Sequence, residues 1–489
     1  LYIYNEKEIK KIDEQAEKQG ISLYMLMENA GRGLYENLQY KLTKQDSIVI
    51  LSGTGNNGGD GIVLARYLKE NNYNVILTFP LGMPTSETAQ SHLAFYEQQG
   101  FEVSMFDYYQ TYDVIIDSLI GVSLNRKLNK QLTELLNRNN RSNAYRIAID
   151  LPTGVSANDG EVDQAFKAHV TLCLHGVKPS AYLVNTAHYF GEVEVIEIGL
   201  KQTSKKKVIE ENNVVQSLPK RPASGHKGTF GTSLLIAGSQ YMPGSAALSS
   251  IGAIRTGTGR LTVATEASVI STVATHVPEA TFTSMSEPLN LLAYDALAIG
   301  PGLTESDQAG KFIKESLASN LPIVVDASAL HSYKEWIHDV QTFKSPVILT
   351  PHPGEFSVLT GYSIKNILRN TLDLASEYAT RHKVIVILKG EHTVIAFPDG
   401  HVFINTTGNS ALAKGGTGDV LTGMILSMVS YYEDINQAVI NAVYIHGLAA
   451  ELWSENYSKS GMTASDFHYL LPEVMKNLEN KQTIPGLTR

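Results

Sequence analysis

Short apolar runs alternate with amphipathic stretches over most of the chain. Ser47–Leu51 is the first clear run. It is too short for a helix and apolar throughout, as a strand buried on both faces should be. It stops before Gly53, and the apolar side formed by Ile62, Leu64, Ala65 and Leu68 predicts a helix from about Gly61 to Glu70. Further strands are expected at 74–79, 114–117, 146–150, 170–174 and 193–196. A second series is expected at 233–237, 260–264, 296–299, 323–326, 347–349, 384–388 and 394–396, with a long helical region from Asp419 onward. Strand, loop and helix in repetition predict mostly parallel sheets covered on both faces. Ligands then belong at the carboxyl ends of strands, where Gly53, Asp117 and Asp150 fall.

Between Lys201 and Gln216 the pattern lapses into Lys-Gln-Thr-Ser-Lys-Lys-Lys and then Glu-Glu-Asn-Asn. That stretch predicts a domain boundary, and its basic cluster a solvated linker. A chain of 489 residues exceeds one ordinary core. The expectation is therefore an α/β protein of two three-layer α/β/α domains, residues 1–212 and 213–489.

Composition narrows the partners. Hydrophobic residues at 43% and charged ones at 18% describe a soluble globular protein with ample core. A net charge of −9 argues against nucleic acid or an anionic membrane as the main partner. No apolar run reaches transmembrane length, and Glu6 and Lys7 come too early for a secretory signal, so a cytoplasmic protein is expected. The one cysteine, Cys173, forms no internal disulfide and lies in an apolar strand pattern, which suits a buried residue rather than a nucleophile.

Two glycine loops carry the chemistry. Gly415-Gly416-Thr417-Gly418-Asp419 leads into an apolar helical pattern, which places backbone N–H groups and a helix dipole before an anion. Asp419 there is either an ordinary N-cap or a general base for a hydroxyl attacking a phosphoryl group. Far upstream, Gly53-Thr54-Gly55-Asn56-Asn57-Gly58 matches the dinucleotide fingerprint after a strand. The acid expected at the end of the following strand is missing, since that strand runs into Pro80. The Asn-rich continuation through Asp60 suits a cation and a polyhydroxylated ligand instead.

The motifs Gly55-Asn56-Asn57-Gly58-Gly59-Asp60-Gly61, Asp117, Asp150-Leu151-Pro152-Thr153-Gly154-Val155 and Met27-Glu28-Asn29-Ala30-Gly31 together resemble the NAD(P)H-hydrate epimerase domain, a Rossmann-like fold. The resemblance covers about residues 1–212. It implies epimerisation at C6 of the hydrated nicotinamide ring with a bound K+ held by Asn57, Asp117 and Thr153. It also implies substrate contacts from Asn56, Asn57, Gly58, Gly59 and Asp60, and from Gly121, Val122, Ser123, Leu124, Asn125, Arg126 and Lys127. Asp150 is the implied acid/base and substrate contact. Where the family usually has Phe-Gly-Thr-Gly-Leu, this chain has Ile120-Gly121-Val122-Ser123-Leu124. Ser123 restricts a backbone that glycine leaves free, so retained but altered substrate binding is expected.

The remainder is similar to the ADP/ATP-dependent NAD(P)H-hydrate dehydratase of the ribokinase-like superfamily. The motifs are His226–Gly231, Ile299-Gly300-Pro301-Gly302-Leu303, Leu349–Phe356, Leu388–Thr393 and Gly408–Asp419. Val325-Asp326-Ala327-Ser328-Ala329-Leu330 departs from the frequent Asp-Ala-Asp-Ala-Leu by Ser328. The resemblance implies phosphorylation of the C6 hydroxyl at the expense of ADP or ATP with Mg2+, followed by loss of phosphate. Asp419 is then the base, and Gly416, Thr417 and Gly418 the amides on the phosphoryl group. Ala246, Gly302, His352 and Asp419 are implied contacts of the hydrated dinucleotide. Lys389, Gly390, Glu391, His392 and Thr393, with Gly418, are implied contacts of the nucleotide. His446 reads as a packing residue, while His226 and Lys227 are candidates for the site entrance.

These resemblances imply one bifunctional repair enzyme for hydrated NADH and NADPH, in the form of a homo-oligomer. Two rivals remain at this point. A sugar or vitamin kinase fused to a dehydrogenase would yield a stable phosphorylated product. A nucleotide-sensing scaffold would bind without turnover.

Overall fold

A computed structural model describes residues 1–107, 110–122, 127–304, 307–336 and 345–483. The chain divides into two compact units, Leu1–Lys207 with Leu368–Asn370, and Val208–Ile367 with Thr371–Arg489.

The first unit holds β1 (Ile48–Ser52), β2 (Val75–Thr78), β3 (Val114–Ser118), β4 (Tyr145–Ile149), β5 (Val170–Leu174) and β6 (Glu192–Ile196). Their order is β2-β1-β3-β4-β5-β6, and every neighbouring pair is parallel. Successive side chains point to opposite faces of a strand. Ile48, Ile50, Ile116 and Ile147 accordingly pack with Leu34, Leu64 and Tyr96, while Val49, Leu51, Ile115 and Ala148 pack with Leu132, Leu136 and Phe166. Helices cover both faces, giving the expected three layers. Cys173 is buried, and burial pushes its thiol up to about 12, which removes it as a nucleophile.

Two features of this unit depart from expectation. Helices Glu6–Lys18 and Leu23–Leu38 precede the sheet, each capped by a side chain, Asn5 and Ser22. The helix expected from Gly61 begins at Asn56. The glycines read as a loop are its first turns, pressed against the strand ends. A Cβ on Gly58 would collide with the Gly53 backbone, so the residue serves close approach rather than flexibility.

Strand β7 (Lys206–Val208) and the helix Glu211–Ser217 occupy the stretch expected as a linker. The second unit contains β8 (Thr232–Ile236), β9 (Arg260–Thr265), β10 (Thr281–Ser284), β11 (Ala296–Ile299), β12 (Ile323–Val325), β13 (Val347–Leu349), β14 (Ile385–Leu388), β15 (Thr393–Ala396) and β16 (Val402–Asn405). They run β10-β9-β8-β11-β12-β13-β14-β15-β16 across the sheet. Pairing is parallel from β10 to β14 and antiparallel for β14–β15 and β15–β16. Strands β10 and β16 were not expected. Thr-Phe-Thr-Ser in β10 is only partly buried and lacks an apolar run. Helices Pro243–Arg255 and Thr417–Tyr431 cross close beneath the site, with Ile251, Ala253, Val420 and Met424 in the same core. Among the described residues, no helix is long and apolar enough to cross a membrane.

Candidate active sites

The first site forms where the strand order reverses, β1 lying between β2 and β3. A cavity of about 770 Å³ opens there, large enough for a cofactor-sized ligand. Asn56, Asn57, Asp60, Gly121, Val122, Lys127 and Asp150 all line it. Gly58 and Gly59 instead face packed neighbours, Gly53 and Met27. Ser123, Leu124, Asn125 and Arg126 lie outside the described residues.

Asp150 follows β4 with φ 70°, a left-handed torsion uncommon outside glycine. Its carboxylate accepts from the Leu174 N–H at 3.1 Å and pairs with the Lys178 ammonium. Lys178 is 1% exposed and also donates to the Gly176 carbonyl at 3.2 Å. Two more acids line the same cavity. Burial, with Asp150 nearby, pushes Asp13 up to about 6. Full burial, with Asp150 and Asp13 adding repulsion, holds Asp60 well above the ordinary range. One ammonium therefore faces three carboxyl groups, of which Asp13 and Asp60 hold their protons more tightly than a free carboxyl, the kind of tuning that suits acid and base roles. The sequence reading missed Lys178 and Asp13. Neither belongs to a glycine motif, and only the fold brings them to Asp150.

Beneath the cavity, Asp117 is fully buried in β3. It accepts from the Leu119 N–H at 3.1 Å, the Thr153 N–H at 2.8 Å and the Thr153 hydroxyl at 2.7 Å. Burial nonetheless pushes it up to about 6. The amide oxygen and nitrogen of Asn57 are both buried without a hydrogen-bond partner among the described residues, a costly arrangement in a dry interior. A Cβ on Gly121 would lie 3.1 Å from the Asn57 Cβ, so this segment closes over that amide. A carboxylate, a hydroxyl and an orphaned amide oxygen suit a hard cation.

The second site lies where β8 and β11 meet, the switch point of the other sheet. Gly416 is the N-cap of the helix Thr417–Tyr431, with φ 92° and no side-chain cap. Asp419 therefore sits inside the first turn, which removes its reading as an N-cap. The N-cap residue offers the first-turn amides no side-chain acceptor, and a Cβ on Gly415 would meet open space among the described residues. Asp419 accepts from Ser245, and burial, outweighing that bond, pushes it up to about 6.

The other expected residues gather around this head. Gly302, with φ 66°, lies against Ser245, and Ala246 is the next residue of that helix. Lys389 Nζ approaches Gly418 and bonds Asp326 Oδ1 at 3.0 Å, with Glu355 Oε2 4.0 Å away. Gly390, Glu391 and His392 lie in the turn between β14 and β15, and Thr393 is the first residue of β15. His352 caps the helix Pro353–Thr360, its Nδ1 accepting from the Gly354 N–H at 3.0 Å and the Glu355 N–H at 3.2 Å. With Nδ1 an acceptor, the neutral ring carries its proton on Nε2. Ser328, which replaces the family acid, donates to the Gly300 carbonyl at 3.2 Å.

His446 packs as expected, stacked on Phe467, and burial pushes it down to about 4. It also has a polar task, bonding the Thr417 carbonyl at 2.9 Å below the helix head. His226 and Lys227 do not flank the entrance. Lys227 lies against Gly259, just before β9 begins, at the opposite end of the sheet. Glu355, Asp326 and Ser245 stood inside or beside motifs, but nothing in their spacing showed which would meet Lys389 or Asp419.

Two family models match: one described as NAD(P)H-hydrate dehydratase over residues 233–473, the other as YjeF-related protein N-terminus over residues 23–180. The ADP-dependent (S)-NAD(P)H-hydrate dehydratase of Bacillus subtilis is 43% identical over 274 residues, 55% of this chain and 98% of that protein. The bifunctional NAD(P)H-hydrate repair enzyme Nnr of Moorella thermoacetica is 31% identical over 519 residues, 98% of each chain. A crystal structure of the Bacillus subtilis ADP/ATP-dependent NAD(P)H-hydrate dehydratase, co-crystallised with ATP and Mg2+, is similar with TM-score 0.53 and 41% identity. It covers 56% of this chain and 99% of that one.

Proposed function

Because the chain belongs to the bifunctional NAD(P)H-hydrate repair enzymes, we propose that its two sites act in sequence on one substrate. The domain of residues 1–212 equilibrates the R and S forms of hydrated NADH and NADPH at C6. The domain of residues 213–489 consumes the S form with ADP or ATP, giving NAD(P)H, phosphate and AMP or ADP.

Hydroxide is a poor leaving group. Asp419 takes the C6 hydroxyl proton, the hydroxyl oxygen bonds the terminal phosphorus, and the phosphoanhydride bond breaks. Loss of phosphate, with a proton from C5, then restores the ring double bond. First-turn amides and Lys389 stabilise charge on the phosphoryl group in transit. Gly302, Ala246 and His352 border the dinucleotide, and Lys389 to Thr393 with Gly418 border the nucleotide. The single observation that carries this reading is the uncapped helix head with Asp419 in its first turn.

Mg2+ typically takes one or two carboxylates together with substrate phosphates. Glu355, beside Lys389, fits that role, and no group of three or more His, Cys, Asp or Glu gathers as a metal cage among the described residues. In the first domain Asn57, Asp117 and Thr153 would hold K+, which supplies a fixed positive charge under the cavity. At K+ one hundred times its dissociation constant the ion stabilises the fold by about 2.7 kcal/mol. Exchanging K+ for Li+ should lower both the melting temperature and the epimer exchange rate. Asn57→Ala should abolish that dependence, and equal melting curves in both salts would remove the ion from this site.

The proposal places the protein in the cytoplasm as a homo-oligomer, the latter checked by light scattering. The decisive assay mixes purified protein with hydrated NADH and ADP and follows the absorbance of reduced nicotinamide. Both epimers should disappear. A stable phosphorylated dinucleotide with no NADH would overturn the reading, and loss of the S form alone would overturn its first half.

A further inference from the structure

We propose that Asp326 is a positioning residue, holding the Lys389 ammonium at the head of the helix Thr417–Tyr431 ready for the phosphates of a nucleoside di- or triphosphate. This rests on the reading that the helix head takes those phosphates.

Lys389 stands in an unfavourable place. Its ammonium lies beside Gly418, in the first turn, where the helix dipole is positive. A lysine side chain is long and flexible, and without a partner it would turn away from that end. Asp326 is the partner that keeps it there. Its carboxylate is 2% exposed and engaged on both oxygens, Oδ1 by Lys389 at 3.0 Å and Oδ2 by the Thr422 hydroxyl at 2.6 Å. One buried carboxylate thus joins the end of β12, the residue after β14, and the second turn of the phosphate-binding helix.

The carboxylate is fixed in turn by its own backbone. The Asp326 N–H donates to the Ile299 carbonyl at 3.1 Å. Its carbonyl lies where a Cβ on Gly300 would stand, so β11 and β12 meet closely at this point. Being buried, Asp326 reaches no ligand. It acts on the reaction through Lys389, by arranging a charge before the substrate arrives. A purely structural ion pair is the competing role, and buried pairs are weak evidence for stability.

The test uses the full chain, with ADP and hydrated NADH as probes. Asp326→Asn, an isostere, should lower kcat/KM for ADP about 100-fold, as expected for an ångström-scale misplacement. KM for hydrated NADH should stay within about twofold. The double variant Asp326→Asn/Lys389→Met should be no worse than Lys389→Met alone, since both changes remove one interaction. Losses that multiply in the double variant, or KM values for both substrates rising together with a lower melting temperature, would overturn the proposal. Should Asp326→Asn not fold, Thr422→Val decides, with a roughly tenfold loss for ADP expected and an unchanged value overturning the assignment. Full activity in Lys389→Met would overturn the phosphate reading and this proposal with it. Loss in Lys389→Met beside normal kinetics in Asp326→Asn overturns this proposal alone.

Discussion

Asp419→Asn should reduce kcat for dehydration by about 10²- to 10⁴-fold, the usual contribution of a positioned general base, and leave ADP binding intact. The amide keeps the shape of the carboxyl group and a partner for Ser245. It removes only the ability to take a proton. Epimer exchange, which the proposal assigns to the first domain, should be unaffected in the same preparation. The wild-type pH profile carries a second check. Burial raises the Asp419 proton affinity to about 6, and the reaction needs the ionised form. Dehydration should therefore be full above neutrality and fall as pH drops through about 6, with the limb read in kcat/KM. A profile flat from pH 5 to 8, or normal dehydration by Asp419→Asn, would remove this residue as the base.

The doubly covered sheets were legible because their strands are short, apolar and punctuated by glycine. Ile48, Ile50, Val49 and Leu51 announce two buried faces without any knowledge of what covers them. A helix head at Gly415 to Asp419 was legible as well, because a run of small residues leads into so apolar a helix, though the sequence left Asp419 open between N-cap and base. Less visible was which residue of that run would be the cap. Gly416 takes the left-handed torsion, and this moves Asp419 inward to meet Ser245. The glycine run at 58–61 misled for a related reason. Absence of a Cβ permits both loops and tight helix packing, and only the position of Gly53 decides between them. Long-range polar pairs were beyond reach. Lys178 sits 28 residues from Asp150 in sequence, and Lys389 63 from Asp326. No periodicity encodes such meetings, which arise from strand order.

Lys178→Met should be the most damaging single change in the first unit. Lys178 is the cation paired with Asp150, and the two are buried beside Asp13 and Asp60. Removing one member of a buried pair costs about 3–5 kcal/mol, because the remaining charge loses its partner. The loss must depend on pH, and its sign follows from the carboxyl groups left behind. Asp13 is already raised from 3.8 to about 6 with the ammonium present, and without it Asp13 and Asp60 bind protons more tightly still. A folded state that holds more protons than the unfolded chain loses stability as pH rises through that window. The deficit of Lys178→Met against wild type should accordingly be small near pH 4, grow through pH 6 and be largest at pH 8. Adding Asp150→Asn to Lys178→Met removes the orphaned charge and should recover most of the melting temperature without recovering epimer exchange. That combination separates the stability of the site from its chemistry. Identical melting curves for wild type and Lys178→Met at pH 8 would show that this ion pair does not hold the cavity together, and normal exchange in the double variant would show that it does not serve the reaction within it.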